Sequence, residues 1–252
     1  MTADEIRRCG AGFPGAPLFY YELVEGSTNR LAKELAHSGA PHGTAVIADS
    51  QTGGRGRFGR PFFSPPGRGI YLSLVARPDW PRERLPLLTV CTAAAVCDAV
   101  EASCLRRPAV KWVNDLYLDG RKVCGILTEL SAGWAVIGLG INVNGHAFPP
   151  ELQGIAGSLQ MAAGGPLDRS RLAAGVLESL ARMLDAPPEA YADYLRRYRA
   201  GCFTVGRAVT VTRGGRSERG QALSVEDDGA LLVRFEDGRT EAVRSGEATL
   251  HE

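Results

Sequence analysis

Apolar positions change their rhythm once along this chain. From Leu18 to about residue 200, stretches with helical spacing alternate with short, wholly apolar runs, and after Gly201 only short β-type runs remain. In residues 27–39, STNRLAKELAHSG, Ser27 or Thr28 is placed to cap a helix, Leu31 and Leu35 fall on one face, and Gly39 is a natural stop. TAVIAD (44–49) and IYLSLV (70–75) read as buried strands. Residues 85–103 are apolar on nearly every side and contain a run of alanines, which predicts a fully buried helix at the centre of the core. The segment KWVNDLYLDGRKVCGILTEL (111–130) reads as strands joined at Asp119-Gly120, a strong hairpin signal, and WAVIGLGINVN (134–144) as a further apolar strand. Residues 168–185 and 188–200 have the pattern of amphipathic helices. Beyond them RAVTVTR, ALSVE, ALLVRF and TEAVR, separated by Gly-Gly and Asp-Gly turns, suggest a small antiparallel barrel of the SH3 type.

The division expected is therefore an extension over residues 1–17, too short to fold as a domain, an α/β catalytic-type domain over 18–203, and a β domain over 204–252. At 44% hydrophobic and 23% charged residues, the composition is that of a folded globular protein. Lys+Arg number 29 against 28 Asp+Glu, so no global field would hold the chain on DNA or on an anionic membrane, and any polyanion site must be local. The apolar run over 85–97 is shorter than the ~20 residues that span a bilayer. The opening residues, MTADEIRRCGAGFPGAP, lack the apolar stretch of a secretory signal. Six cysteines at 9, 91, 97, 104, 124 and 202 form no CxxC pair, which points to neither zinc nor a disulfide framework and makes a reducing cytoplasm the expected setting.

The inventory of basic residues is uneven. Only Lys33, Lys111 and Lys122 are lysines, against 26 arginines, and two of the three bracket one hairpin. A lysine retained in such a chain is one that the wide planar guanidinium does not replace. The four asparagines, Asn29, Asn114, Asn142 and Asn144, each fall in a short polar motif. With numbers this small, chance is the competing account.

Three segments carry chemistry. Residues 53–60 pack four glycines with Arg55, Arg57 and Arg60 directly after a strand, so amides and guanidinium forks can converge on a phosphate or carboxylate. The alternatives are a flexible basic loop or an RNA-binding segment, although a single copy between strands does not fit the latter. It is not a Walker loop. In KWVNDLYLDGRK, Lys111, Asn114, Asp115 and Lys122 place two cations, an amide and a carboxylate near one sheet end, as a nucleotide triphosphate with Mg²⁺ requires; ordinary hairpin polarity is the alternative. GLGINVN (138–144) has a GxG after a strand but lacks the third glycine of a dinucleotide fold. The four histidines form no triad or ligand pair.

Taken in order, STN, QTGGRGRFGR, KWVNDLYLDGRKVCGILTEL and GLGINVN resemble the motifs of the biotin protein ligases, and with the β tail the resemblance covers nearly the whole chain from Leu18. It implies a mixed-sheet α/β (α+β) fold related to class II aminoacyl-tRNA synthetases with an SH3-like C-terminal barrel. It also implies ATP-dependent biotinylation of one lysine on the carrier domain of a biotin-dependent carboxylase. By position, Ser27, Thr28, Asn29 and Gln51 would hold biotin, Arg55, Gly56 and Arg57 would close over it, and Lys122 and Gly125 would complete its site. Arg57, Arg60, Lys111, Asn114, Asp115 and Asn142 would serve ATP, Asp115 through Mg²⁺, with Arg57, Lys111 and Lys122 carrying the catalytic charge. Two departures from the family pattern are Val113, where proline is usual, and Phe62, where tryptophan is frequent. No N-terminal winged helix precedes the motifs, so the expectation is a ligase without repressor activity; a homodimer is left open. The rivals are a lipoate ligase on the same fold, a sensing or nucleic-acid-binding module without turnover, and a purely structural role.

Overall fold

The computed structural model describes all residues except 11, 79, 81–83, 132 and 252. Seven strands form the main sheet: β1 (Leu18–Val24), β2 (Ala45–Gln51), β3 (Gly69–Ala76), β4 (Ala109–Lys111), β5 (Asp115–Leu118), β6 (Arg121–Ser131) and β7 (Trp134–Asn142). Their order is β1-β2-β3-β7-β6-β5-β4; β1 and β2 run parallel and every other pair antiparallel. The one parallel pair needs a crossover. It is supplied by α2 (Thr28–His37), whose first turn is capped by Ser27 as its side chain accepts from the Arg30 amide.

Helices cover both faces, which explains why β3 is buried along its whole length instead of alternating. Ile70, Leu72 and Leu74 join the large core under α3 (Leu87–Cys104), α5 (Arg169–Leu184) and α6 (Tyr191–Gly201), while Val75 packs with Ala32, Ala36 and Val46 beneath α2. Among the described residues α3 is the one helix long and apolar enough to cross a membrane, and 67% of it is buried, as expected of a core helix. Asp119 (φ 48°) and Gly120 (φ 72°) make the tight β5–β6 turn, both central residues lying in the left-handed region that such hairpins require. The Trp112–Val113 peptide is cis.

The first residues do more than extend the chain. Thr2 caps α1 (Ala3–Cys9), and Ile6 is fully buried in the main core against α5. A short α4 (Leu159–Ala163) follows the loop after β7. The C-terminal sheet has five antiparallel strands, β8 (Ala208–Arg213), β9 (Arg216–Val225), β10 (Leu231–Phe235), β11 (Thr240–Val243) and β12 (Glu247–Leu250), in the order β11-β10-β9-β8-β12. Its fifth strand, β12, was not legible as a separate run. The sheet is fastened to the larger domain by Trp112, whose indole donates to the Gly229 carbonyl (3.0 Å) and whose amide donates to Thr204 Oγ1 (2.9 Å).

Candidate active site

One pocket collects the chemistry. Its walls come from the start of α2, the end of β2, the loop that follows, the β4–β5–β6 hairpin, the β7 floor and the start of β12. Gln51, at the end of β2, accepts from the Thr28 amide (2.7 Å) and donates through Nε2 to Ser64 Oγ (3.0 Å). Asn29 donates to the Glu129 carboxylate (2.9 Å) and accepts from Ser73 (2.6 Å), and Lys33 pairs with the other oxygen of Glu129. This end of the pocket is thus a buried, mostly neutral hydrogen-bonding wall.

The glycine-arginine loop folds back on itself, with the Gly56 amide on the Arg60 carbonyl (2.8 Å) and the Phe62 amide on the Gly54 carbonyl (2.9 Å). Arg57 at its tip donates to Asn114 Oδ1 (3.0 Å) and to the Gly246 carbonyl (2.6 Å). Arg60 grips Glu247 with both terminal nitrogens (2.6 Å each). Burial pulls the Arg57 pKa below the usual arginine value, opposed by the Asp115 and Glu247 carboxylates. Across the opening, Lys122 Nζ lies 2.8 Å from Asp115 Oδ1, and Asn114 donates to the same oxygen (3.0 Å). Lys111 faces Asp115 in the β4–β5 register.

The floor is made of glycine. Gly125 on β6 pairs with Gly140 on β7; the Phe62 ring lies where a β-carbon of Gly140 would stand, one at Gly125 would press on the end of the Lys122 side chain, and a side chain at Gly138 would run into Asn29. The GxG of β7 therefore admits close approach, as its sequence allowed, though for an aromatic ring and an amide.

Ser27, Thr28, Asn29, Gln51, Arg55, Gly56, Arg57, Arg60, Lys111, Asn114, Asp115, Lys122 and Gly125 all line this pocket. Asn142 does not: its amide donates to the Gly157 carbonyl (3.0 Å) and ties down the loop beside β6. The reason is register. Asn142 stands opposite Gly69 at the far end of β3, beyond the glycine floor. Sequence reasoning missed Ser73, Ser64, Glu129 and Glu247. Ser73 sits in an apolar run, and Glu247 reaches the site only through the packing of the two domains.

Fold and pocket together set cations at one sheet end opposite an amide-lined recess, with a small β domain closing one side. The family model described as "Biotin/lipoate A/B protein ligase family" matches residues 21–144, and "Biotin protein ligase C terminal domain" matches residues 204–250. The bifunctional ligase/repressor BirA of Bacillus spizizenii is 38% identical, over 89% of this chain and 71% of its own length. A biotin acetyl-CoA-carboxylase ligase of Mycobacterium tuberculosis is 36% identical over 88% of this chain and 85% of its own. The structure of the Aquifex aeolicus biotin protein ligase in complex with biotin and ATP superposes with a TM-score of 0.80 at 29% identity, covering 93% of this chain and 98% of that one. The chain belongs to the biotin protein ligase family.

Proposed function

We propose that this enzyme condenses biotin with ATP to biotinyl-5′-AMP and then transfers the biotinyl group to a lysine of a carboxyl carrier domain. The observation that carries the reading is the polarity of the pocket: Thr28 and Gln51 at one end, Arg57, Lys111 and Lys122 at the other. Biotin has the same polarity, a neutral cyclic urea at one end and a carboxylate at the other.

In the first step a biotin carboxylate oxygen attacks the α-phosphorus, the bond to the β-phosphate oxygen breaks, and pyrophosphate leaves. In the second the carrier lysine nitrogen attacks the acyl carbon, the bond to the phosphate oxygen breaks, AMP departs and the nitrogen loses a proton. Charge develops on oxygens in both, so preorganised cations supply most of the stabilisation. Lys122 uses one donor on Asp115 and keeps two for the carboxylate and α-phosphate oxygens. Arg57 is held over the opening by Asn114 and Gly246, aimed at the same region. The loop over 53–60 shields the mixed anhydride from water. Among the described residues no three His, Cys, Asp or Glu gather to hold a metal by themselves. Asp115 beside the cations fits the usual pattern for Mg²⁺, in which one carboxylate and the substrate phosphates hold the ion, and the ion would there neutralise phosphate charge. The cysteines described are all unpaired, which supports a reducing, cytoplasmic setting.

The test is biotin-dependent pyrophosphate release from Mg-ATP before any carrier is added, with lipoate and acid-free controls. Release with biotin alone is expected. Release with lipoate instead would favour the other acid this fold accommodates, and no release from folded protein would overturn the reading.

A further inference from the structure

The neutral end of the pocket is wired to a residue outside it. Ser73, in the middle of β3, has no exposed surface, and its hydroxyl lies 2.8 Å from Thr28 Oγ1 and 2.6 Å from Asn29 Oδ1. A serine has one proton to give, so both contacts cannot be donations.

The neighbours decide where that proton goes. The nitrogen side of the Asn29 amide faces the Glu129 carboxylate (2.9 Å) and the Leu127 carbonyl (3.3 Å), both pure acceptors, so its oxygen must face Ser73. Lys33 holds the far side of Glu129 and keeps that carboxylate in place as an acceptor. An oxygen pair at 2.6 Å with no proton between is repulsive, and a buried amide oxygen without a donor is costly. Ser73 therefore donates to Asn29, which leaves the Ser73 oxygen to accept the proton of Thr28. Thr28 Oγ1 also lies near Gln51 Oε1, but at 3.2 Å, the longer of its two contacts.

The other end of the chain is set in the same way. Ser64 donates to the Phe62 carbonyl (2.9 Å), so it accepts from Gln51 Nε2 and fixes the Gln51 amide with its oxygen toward Thr28. Gln51 Oε1 then receives the Thr28 amide and keeps one lone pair free, while Thr28 Oγ1, having given its proton to Ser73, keeps both of its own.

We propose that Ser73 is a positioning residue that draws the Thr28 proton away from the pocket, so that Thr28 and Gln51 together face the ligand as acceptors for the N–H groups of a cyclic urea. This rests on the biotin reading above. It explains why the wall suits biotin, whose ring offers two N–H donors, and leaves a dithiolane acid with nothing to donate. Without the Ser73 hydroxyl, the Thr28 proton turns to Gln51 Oε1 and occupies the free lone pair.

The experiment titrates biotin, and the two cyclic carbamates in which one or the other ring N–H is replaced by oxygen, into wild type and Ser73→Ala, and measures KM for ATP at saturating biotin. Biotin is expected to bind Ser73→Ala about tenfold more weakly, the scale of one lost hydrogen bond, with KM for ATP unchanged. At least one carbamate should bind wild type about tenfold more weakly than biotin, and that discrimination should largely vanish in the variant, because the same hydrogen bond cannot be lost twice. Should Ser73→Ala fold poorly, Ser73→Cys keeps the side chain small with a weak donor, and the same loss of discrimination is expected there. Unchanged biotin affinity, or equal weakening of biotin and both carbamates, overturns the role of Ser73 while leaving the biotin reading standing. Failure of wild type to bind biotin overturns both.

Discussion

Lys122 and Arg57 stand at the mouth of one pocket, yet their surroundings prepare them for different work. Arg57 is fixed in place by an amide oxygen and a carbonyl, whereas Lys122 has a single carboxylate partner and two donors left over. Lys122→Ala is expected to slow biotin-dependent pyrophosphate release by ~100-fold or more, the usual cost of one donor at a developing oxyanion. A partly exposed ion pair contributes about 0–1 kcal/mol, so thermal unfolding should hardly move, and a loss of activity matched by a collapse in Tm would contradict the role. Lys122→Arg should not restore the rate, because a planar fork cannot reproduce a compact ammonium. This is also where the sequence was most legible. Scarcity of lysine pointed to Lys111 and Lys122, which both line the pocket, and the third, Lys33, anchors the Glu129 end of the Asn29 network. Scarcity of asparagine was a weaker guide. Asn29 and Asn114 reach the site, but Asn142 at the end of β7 and Asn144 just beyond it bond the backbone at Gly157 and Leu167.

At the scale of elements, β3 and β7 show how a strand can be core on one face and site on the other. Ser73 belongs to a run that reads as uniformly apolar, so nothing in its pattern distinguished a hydroxyl placed for a network from one tolerated in a strand. Residues 85–103, the Asp119-Gly120 hairpin and the helices after residue 168 were legible because periodicity or turn chemistry alone specifies them. α1 was not, since its burial depends on Ile6 meeting α5 from the other end of the chain. The glycines of β7 offer a direct check. Gly138→Ala puts a methyl group into the Asn29 side chain, so it should weaken biotin binding by about tenfold or more and lower Tm, overpacking in a tight interior costing ~1–3 kcal/mol. Gly175→Ala in the middle of α5 makes the same chemical change into open space, and should raise Tm slightly because alanine is favoured over glycine inside a helix. Differential scanning calorimetry with a biotin titration reads both; equal effects from the two would remove the claim that Gly138 is there for Asn29.

Across the whole molecule, the main apolar cluster spans both domains: Val209, Val211, Leu231 and Val233 of the C-terminal sheet belong to the same cluster as α3 and one face of the main sheet. Arg57 and Arg60 add polar ties from the site loop to Gly246 and Glu247. The two domains should therefore unfold together, and groups buried in the shared core should register in one transition. Burial pushes the Cys91 and Cys97 thiols up to about 12 and raises Cys124 further, while the Tyr117 hydroxyl moves up to about 12. Thiols and phenols are neutral when protonated, so the folded chain holds these protons at a pH where the unfolded chain releases them. Below about pH 9 both states keep the thiol protons and stability does not depend on them; above it the unfolded state binds fewer protons, and stability is lost as pH rises toward the folded-state values. Tm should be level between about pH 7 and 8.5, then fall progressively above about pH 9, with a shallower fall in Cys91→Ala/Cys97→Ala. At about pH 8 a thiol reagent should label the exposed Cys9 quickly, and Cys91, Cys97 and Cys124 only upon unfolding. A Tm that stayed level through about pH 10.5 would contradict the burial of these groups, and rapid native labelling of Cys91 would show that the core around α3 opens locally.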